Sequence, residues 1–184
     1  MNKRKSMVIV TAVVLLMVAL GFGAMMTQEV DASNGQTMCK PVLGSLNVTQ
    51  EFGVYNPTYG YHEGIDIVPR YDYRVFAPSD GVVQATGYGS REGNYIVVQH
   101  RGGDSNPYRG YCPLETWTKY YHLESYYVYP GQKVTKGQLI GKVGSTGSWC
   151  TGRHLHFEIR ENGRYGRAVN PREYIRFGDG KDLW

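Results

Sequence analysis

Hydrophobic positions divide the chain into two parts with different patterns. Residues 6–28 carry no charged side chain and are mostly apolar, with Met7-Val8-Ile9-Val10 and Val13-Val14-Leu15-Leu16-Met17-Val18 at the centre. About 20 apolar residues cross a bilayer, and the preceding Lys3-Arg4-Lys5 favours the cytoplasmic side, so the remainder is predicted to lie outside. The segment reads as an uncleaved transmembrane anchor. A cleaved signal peptide is the alternative, with Val30-Asp31-Ala32 offering small-residue positions before Ser33. Residues 1–28 are therefore the anchor or signal helix, and 29–45 a polar linker in which Asp31, Ser33, Asn34 and Gly35 break any apolar period.

Beyond the linker, short apolar runs recur between Gly, Pro, Asn and Asp: Gly81 to Ala85, Tyr95 to Gln99, Lys119 to His122, Gln138 to Val143 and His154 to Arg160. This spacing predicts an all-β domain, a mainly antiparallel sheet or sandwich over residues 46–176, followed by a tail at 177–184. One short helix is predicted at Pro171 to Ile175, because Asn170 is a good cap, Pro171 suits the first helical position and Glu173 follows the cap by three. The 24 glycines and 16 tyrosines, with 20% charged residues and no repeat or low-complexity tract, fit a turn-rich globular domain.

Two fragments carry most of the chemistry: His62-Glu63-Gly64-Ile65-Asp66 and His154-Leu155-His156. Tyr61, Ile65, Ile67 and Val68 favour strand, and Gly64 and Pro69 weaken a helix, so both fragments are read as strands. Period-two alternation then puts His62, Gly64 and Asp66 on one face, and His154, His156 and Glu158 opposite Leu155, Phe157 and Ile159. Two imidazoles and a carboxylate are the ligand set of a catalytic zinc with one position left open, and a groove holding one zinc per chain is predicted. Gly64 would leave room for the ion, or equally mark a bulge or a close backbone contact.

The order of further landmarks is specific. They are Thr49-Gln50-Glu51-Phe52-Gly53, the H-x-G-x-D of His62 to Asp66, Ala77-Pro78-Ser79-Asp80-Gly81-Val82-Val83, Gly93 to His100, Tyr120-Tyr121-His122-Leu123, Gly131 to Gly141, Gly144-Ser145-Thr146-Gly147 and Thr151 to Glu158. From about Val48 to Tyr174 the chain resembles the LytM/lysostaphin-type zinc endopeptidases, which cut peptides of bacterial cell walls. The resemblance implies zinc ligands His62, Asp66 and His156, with His122 and His154 as catalytic residues beside the attacked water or the developing oxyanion. Such a zinc activates water and polarises the scissile carbonyl, while the two histidines handle protons or hold the oxyanion. Two departures stand out. Arg153 replaces the usual Pro and is expected either to disfavour protonated His154 or to contact an acidic substrate group. The stretch from Arg101 to Trp117 is longer and more aromatic than the usual connection, which bears on substrate preference.

Other chemistry-bearing residues have plainer readings. His100 ends an apolar strand and is read as structural. Glu158 is either an acceptor that orients a ligand or a surface carboxylate. Tyr55, Tyr59 and Tyr61 lie close enough to His62 for one phenol to donate to an oxyanion. Cys112 and Cys150 are expected to join, pinning the aromatic loop as one groove wall, with Cys39 free; three unpaired thiols are the alternative.

The formal charge of +4 and sequence pI of about 8.9 fit attraction to anionic wall polymers. No aromatic-and-basic RNA motif or helix-turn-helix supports nucleic acid. The expected protein is an exported zinc metalloendopeptidase of the cell envelope acting on peptidoglycan peptides, in the cross-bridge or the stem. Two other readings stand: a catalytically idle wall-binding activator, and a structural component of a trans-envelope assembly. The sequence identifies no protein partner.

Overall fold

A computed structural model describes residues 38–44, 46–100 and 115–177. Its strands are β1 (Leu46–Gln50), β2 (Tyr55–Asn56), β3 (Gly60–Tyr61), β4 (Ile65–Pro69), β5 (Arg74–Phe76), β6 (Gly81–Gly89), β7 (Gly93–His100), β8 (Thr116–Tyr126), β9 (Lys133–Val134), β10 (Leu139–Val143), β11 (Leu155–Glu161) and β12 (Arg167–Val169). Each of the five predicted apolar runs lies in or overlaps one of them. The predicted anchor segment lies outside the described residues, among which no helix is long and apolar enough to cross a membrane.

Ten strands form one sheet in the order β1-β4-β11-β8-β7-β6-β9, with β12 beside β11 and β10 bridging β5 and β8. Every pairing among them is antiparallel. A β2–β3 hairpin stands apart. Of the predicted antiparallel sheet or sandwich, one continuous branched sheet is observed. It turns on β8, whose first part pairs with β11 over Thr116–Tyr121 and whose last part pairs with β10 over Leu123–Tyr126.

Alternation on β4 and β11 builds the core. Ile65 and Ile67 on β4, and Leu155, Phe157 and Ile159 on β11, are fully buried. Phe157 packs on Tyr120 of β8, their rings 5.4 Å apart. Burial of each such side chain stabilises the fold by about 1.5–3 kcal/mol. The intervening residues of the same strands are pushed to the other face, where the polar groups gather.

The expected helix is shorter than predicted, a 3-10 turn at Pro171–Glu173. The Asn170 side chain caps it by accepting from the Arg172 amide. Past it, the Ile175 amide makes one α-type bond to Pro171 O at 2.9 Å.

Candidate metal centre

Asp66 and His156 are brought together by register. They are direct cross-strand partners in the β4–β11 ladder, and the Asp66 Oδ1 to His156 Nδ1 distance is 2.9 Å. His62 arrives differently from the sequence reading. β4 begins at Ile65, so His62 lies in the connection after β3, pinned where its amide donates to Val54 O and its carbonyl accepts from Gly53 N. Gly64 makes the bend from this connection into β4. A Cβ there would collide with the Phe157 carbonyl and lie 3.0 Å from His156 Nε2. Of the two sequence readings of Gly64, close backbone approach is the one observed.

His62 Nε2 lies 3.1 Å from Asp66 Oδ1 and 2.9 Å from His156 Nδ1. Together the three residues form a metal-capable cluster.

Hydrogen bonds on the far side of each ring select the tautomer. His62 Nδ1 donates to Glu51 O at 2.9 Å, which leaves Nε2 bare in the neutral ring. His156 Nε2 faces Glu158 Oε1 at 3.4 Å, which leaves Nδ1 bare. Glu158 is buried, so of the two sequence readings it is the orienting acceptor and not a surface carboxylate. Two imidazole lone pairs and a carboxylate oxygen thus converge, which is repulsive unless positive charge sits between them. The residues register that demand. Burial would lower His156, but bonds to Asp66 and Glu158 and the charge of both carboxylates push it up to about 9. Burial would raise Asp66, but bonds from His156 and His62 hold it well below the usual carboxylate range.

The donor set fits zinc. Tetrahedral bonds of about 2.0–2.1 Å separate ligand atoms by roughly 3.3 Å, close to the 2.9, 2.9 and 3.1 Å edges of this triangle.

His122 comes from a defect in the sheet. Between Asn94 and Ile96 of β7, the partners on β8 run from Leu123 to Tyr120, one residue more than the ladder needs. His122 takes a φ of 63°, unusual for a non-glycine residue, and its amide donates to Glu92 O. Such a bulge breaks alternation. Consequently Tyr121 and His122, consecutive in sequence, both reach the cluster. Tyr121 stacks on His156 at 5.4 Å and 3°, and the His122 ring lies 6.2 Å from His156.

The Gly144–Gly147 turn then places both remaining histidines. Its Thr146 carbonyl accepts from His122 Nδ1 at 2.9 Å, and its Gly144 carbonyl accepts from the His154 amide at 3.2 Å. The turn is fixed in turn by Thr146 Oγ1, which accepts from the Asn94 amide and donates to Leu123 O. His154 precedes β11 rather than starting it. Its Nδ1 donates to Gly152 O at 2.8 Å and its Nε2 lies 3.7 Å from Asp66 Oδ1. The His122 and His154 rings are 4.8 Å apart. Burial pushes His122 down to about 4 against the raising effect of the Thr146 carbonyl, so this ring is neutral near pH 7 and able to accept a proton.

The structure therefore gathers all five residues singled out from sequence. His100 is elsewhere, with Nδ1 on Asp80 O at 2.9 Å and Nε2 on Thr118 Oγ1 at 2.8 Å. Arg153 stacks over Tyr73 at 4.9 Å and reaches Glu124 at 3.4 Å, engaged within the fold. Tyr55 packs on Tyr61, and Tyr59 on Trp149. Cys150 carries a free thiol 3.6 Å from His154 Nδ1, as Cys39 also does elsewhere. Cys112 and most of the aromatic loop lie outside the described residues. Tyr121 was missed by sequence reasoning because strict alternation sends it away from His122. Lys119 and Arg160 were missed although Arg160 shares its strand face with His156 and Glu158.

Residues 60–171 match the sequence profile of Peptidase family M23. The chain belongs to this family. It is 35% identical over 148 residues to the peptidoglycan DD-endopeptidase ShyC of Vibrio cholerae, covering 76% of this chain and 30% of that protein. Among solved structures it is similar to a zinc-containing peptidase from Vibrio cholerae, with a TM-score of 0.54 and 30% identity over 74% of this chain and 38% of that one. It is also similar to the SpoIIQ–SpoIIIAH pore-forming complex, with a TM-score of 0.61 and 26% identity over 77% of this chain and 92% of that one. The chain spans less than a third of the length of ShyC and less than a quarter of that of ShyA, another Vibrio cholerae DD-endopeptidase.

Proposed function

We propose that this M23 domain is an exported zinc endopeptidase that hydrolyses peptide bonds of peptidoglycan. The observation that carries the reading is the convergence of His62 Nε2, Asp66 Oδ1 and His156 Nδ1, each imidazole held in the tautomer that bares the converging nitrogen. A zinc ion held by these residues would supply Lewis acidity toward the scissile carbonyl and acidify water to a pKa of about 7.

The chain's own groups divide the remaining work. Neutral His122 presents Nε2 as an acceptor for the proton of the attacking water, since its Nδ1–H is committed to Thr146 O. His154, held by Gly152 O, presents its Nε2 beside Asp66 and is placed to return a proton to the leaving amine or to steady the oxyanion. Tyr121 packs flat on His156 and fixes the plane of that ring. The likeness to ShyC, a peptidoglycan DD-endopeptidase, supports peptidoglycan peptides, in the cross-bridge or the stem, as the substrate. The domain would work outside the cytoplasmic membrane, anchored through residues 1–28 or released from them.

The test is to incubate the protein with purified peptidoglycans of several bridge chemistries and identify fragments by mass spectrometry. New amino termini within cross-links, abolished by a chelator and restored by zinc, are expected; intact cross-links in every wall, with zinc bound, would refute the enzyme. The likeness to the SpoIIQ–SpoIIIAH complex favours one second reading, a domain that docks in an envelope assembly without turnover. Wall or partner binding without cleavage would select it.

A further inference from the structure

One ionic cluster is buried at a cost that the core does not require. Glu158, Lys119 and Arg160 are each less than 8% exposed, although such groups are rarely buried without strong pairing. Glu158 and Lys119 are cross-strand partners in the β8–β11 ladder, and Arg160 follows Glu158 on the same face. Glu158 Oε2 meets Lys119 Nζ at 3.2 Å and Arg160 Nε at 2.7 Å, while its Oε1 faces His156. Arg160 continues outward, donating to Gly166 O at 3.0 Å and to Glu63 Oε2. Glu63 lies between His62 and Gly64, in the connection that delivers His62 to the cluster. Charged side chains thus run from the backbone beside one proposed ligand to the ring of the other.

We propose that Arg160 is a positioning residue that couples His62 and His156 through Glu63 and Glu158, and so sets the affinity of the site for zinc. The inference rests on the reading of His62, Asp66 and His156 as zinc ligands. Apolar replacement of a buried ionic cluster is often neutral for stability, so folding alone does not account for it. An apolar residue cannot hold His156 Nε2–H toward a fixed carboxylate, which keeps Nδ1 bare and aimed. A guanidinium is suited to the task because its planar fork serves two carboxylates from separate segments at once.

The test uses the full-length chain in detergent, with zinc affinity measured by competition against a chromophoric chelator and thermal melting followed after zinc removal. Arg160→Met is expected to weaken zinc binding by about ten- to hundredfold, the usual effect of losing an outer partner of a ligand. Glu63→Gln, at an exposed position, is expected to weaken it several-fold with melting of the zinc-free protein unchanged. Because both act through one contact, the double variant is expected to match Arg160→Met alone. Where Arg160→Met fails to fold, Arg160→Lys and Glu63→Gln decide. Parental affinity in both of these, additive losses in the double variant, or affinity losses that merely track lowered melting would overturn the coupling. A parent that holds no zinc would overturn the ligand reading and the coupling together; a parent that binds zinc as tightly as its variants would overturn the coupling alone.

Discussion

Two histidine sites in this domain, His100 alone and His62 with His156, show what separates a structural imidazole from a reactive one. His100, at the end of β7, is almost completely buried, and each of its ring nitrogens meets an oxygen that suits it, a carbonyl that accepts and a hydroxyl that can do either. Nothing is left to bind. At the other site, the outward nitrogens of His62 and His156 are satisfied by Glu51 O and Glu158, so in the neutral rings the inward nitrogens turn lone pairs toward each other and Asp66. Burial is common to both places. The unmatched lone pairs are not, and they mark where a cation belongs.

The comparison breaks most sharply at Asp66. Asp66→Ala is expected to abolish zinc binding at micromolar metal and wall hydrolysis with it, a loss beyond the roughly hundredfold that follows from an outer partner. Full occupancy by elemental analysis would remove the carboxylate from the ligand set. His122→Ala and His154→Ala sharpen the same contrast. Each is expected to keep zinc and to lose about a hundredfold or more in hydrolysis rate; parental rates would deny them any part in proton transfer, and loss of metal in His154→Ala would make that residue a ligand.

At His100 the effect is on stability and leaves zinc and hydrolysis alone. Burial holds His100 down to about 4, opposed by bonds to the Asp80 and Ser79 backbones and by the Asp80 charge, whereas an exposed imidazole titrates near 6.5. Between these values the unfolded chain takes up a proton that the folded chain refuses, so stability falls as pH drops from about 6.5 to about 4 by up to about 3 kcal/mol. Denaturant melts of parent and His100→Leu should show a shallower pH dependence in the variant. Parallel curves would mean that His100 is not the group responsible.

Most of the site was legible in the sequence, and the part that was not has a local cause. Asp66 and His156 follow from the apolar alternation of Ile65, Ile67, Leu155, Phe157 and Ile159, because burying one face of a strand fixes the other, whereas His154 lies just before β11 and is held by the Gly144 and Gly152 carbonyls. His62 was placed on the correct side for an incomplete reason. It precedes the strand, and the bend at Gly64 rather than alternation brings it in. His122 was found only through family likeness, since the bulge that turns it depends on how β7 and β8 align, which no local pattern records. The same bulge concealed Tyr121. Strand positions were legible from their apolar runs, whereas the choice between one sheet and a sandwich was not, because both bury alternate residues of every strand.

Zinc content tests the account most directly. Elemental analysis of the folded full-length protein, purified without chelator and compared with His156→Ala, is expected to give one zinc per chain for the parent and close to none for the variant; a parent lacking stoichiometric metal, or a variant retaining it, would contradict the assignment of the His62, Asp66 and His156 cluster as the metal centre.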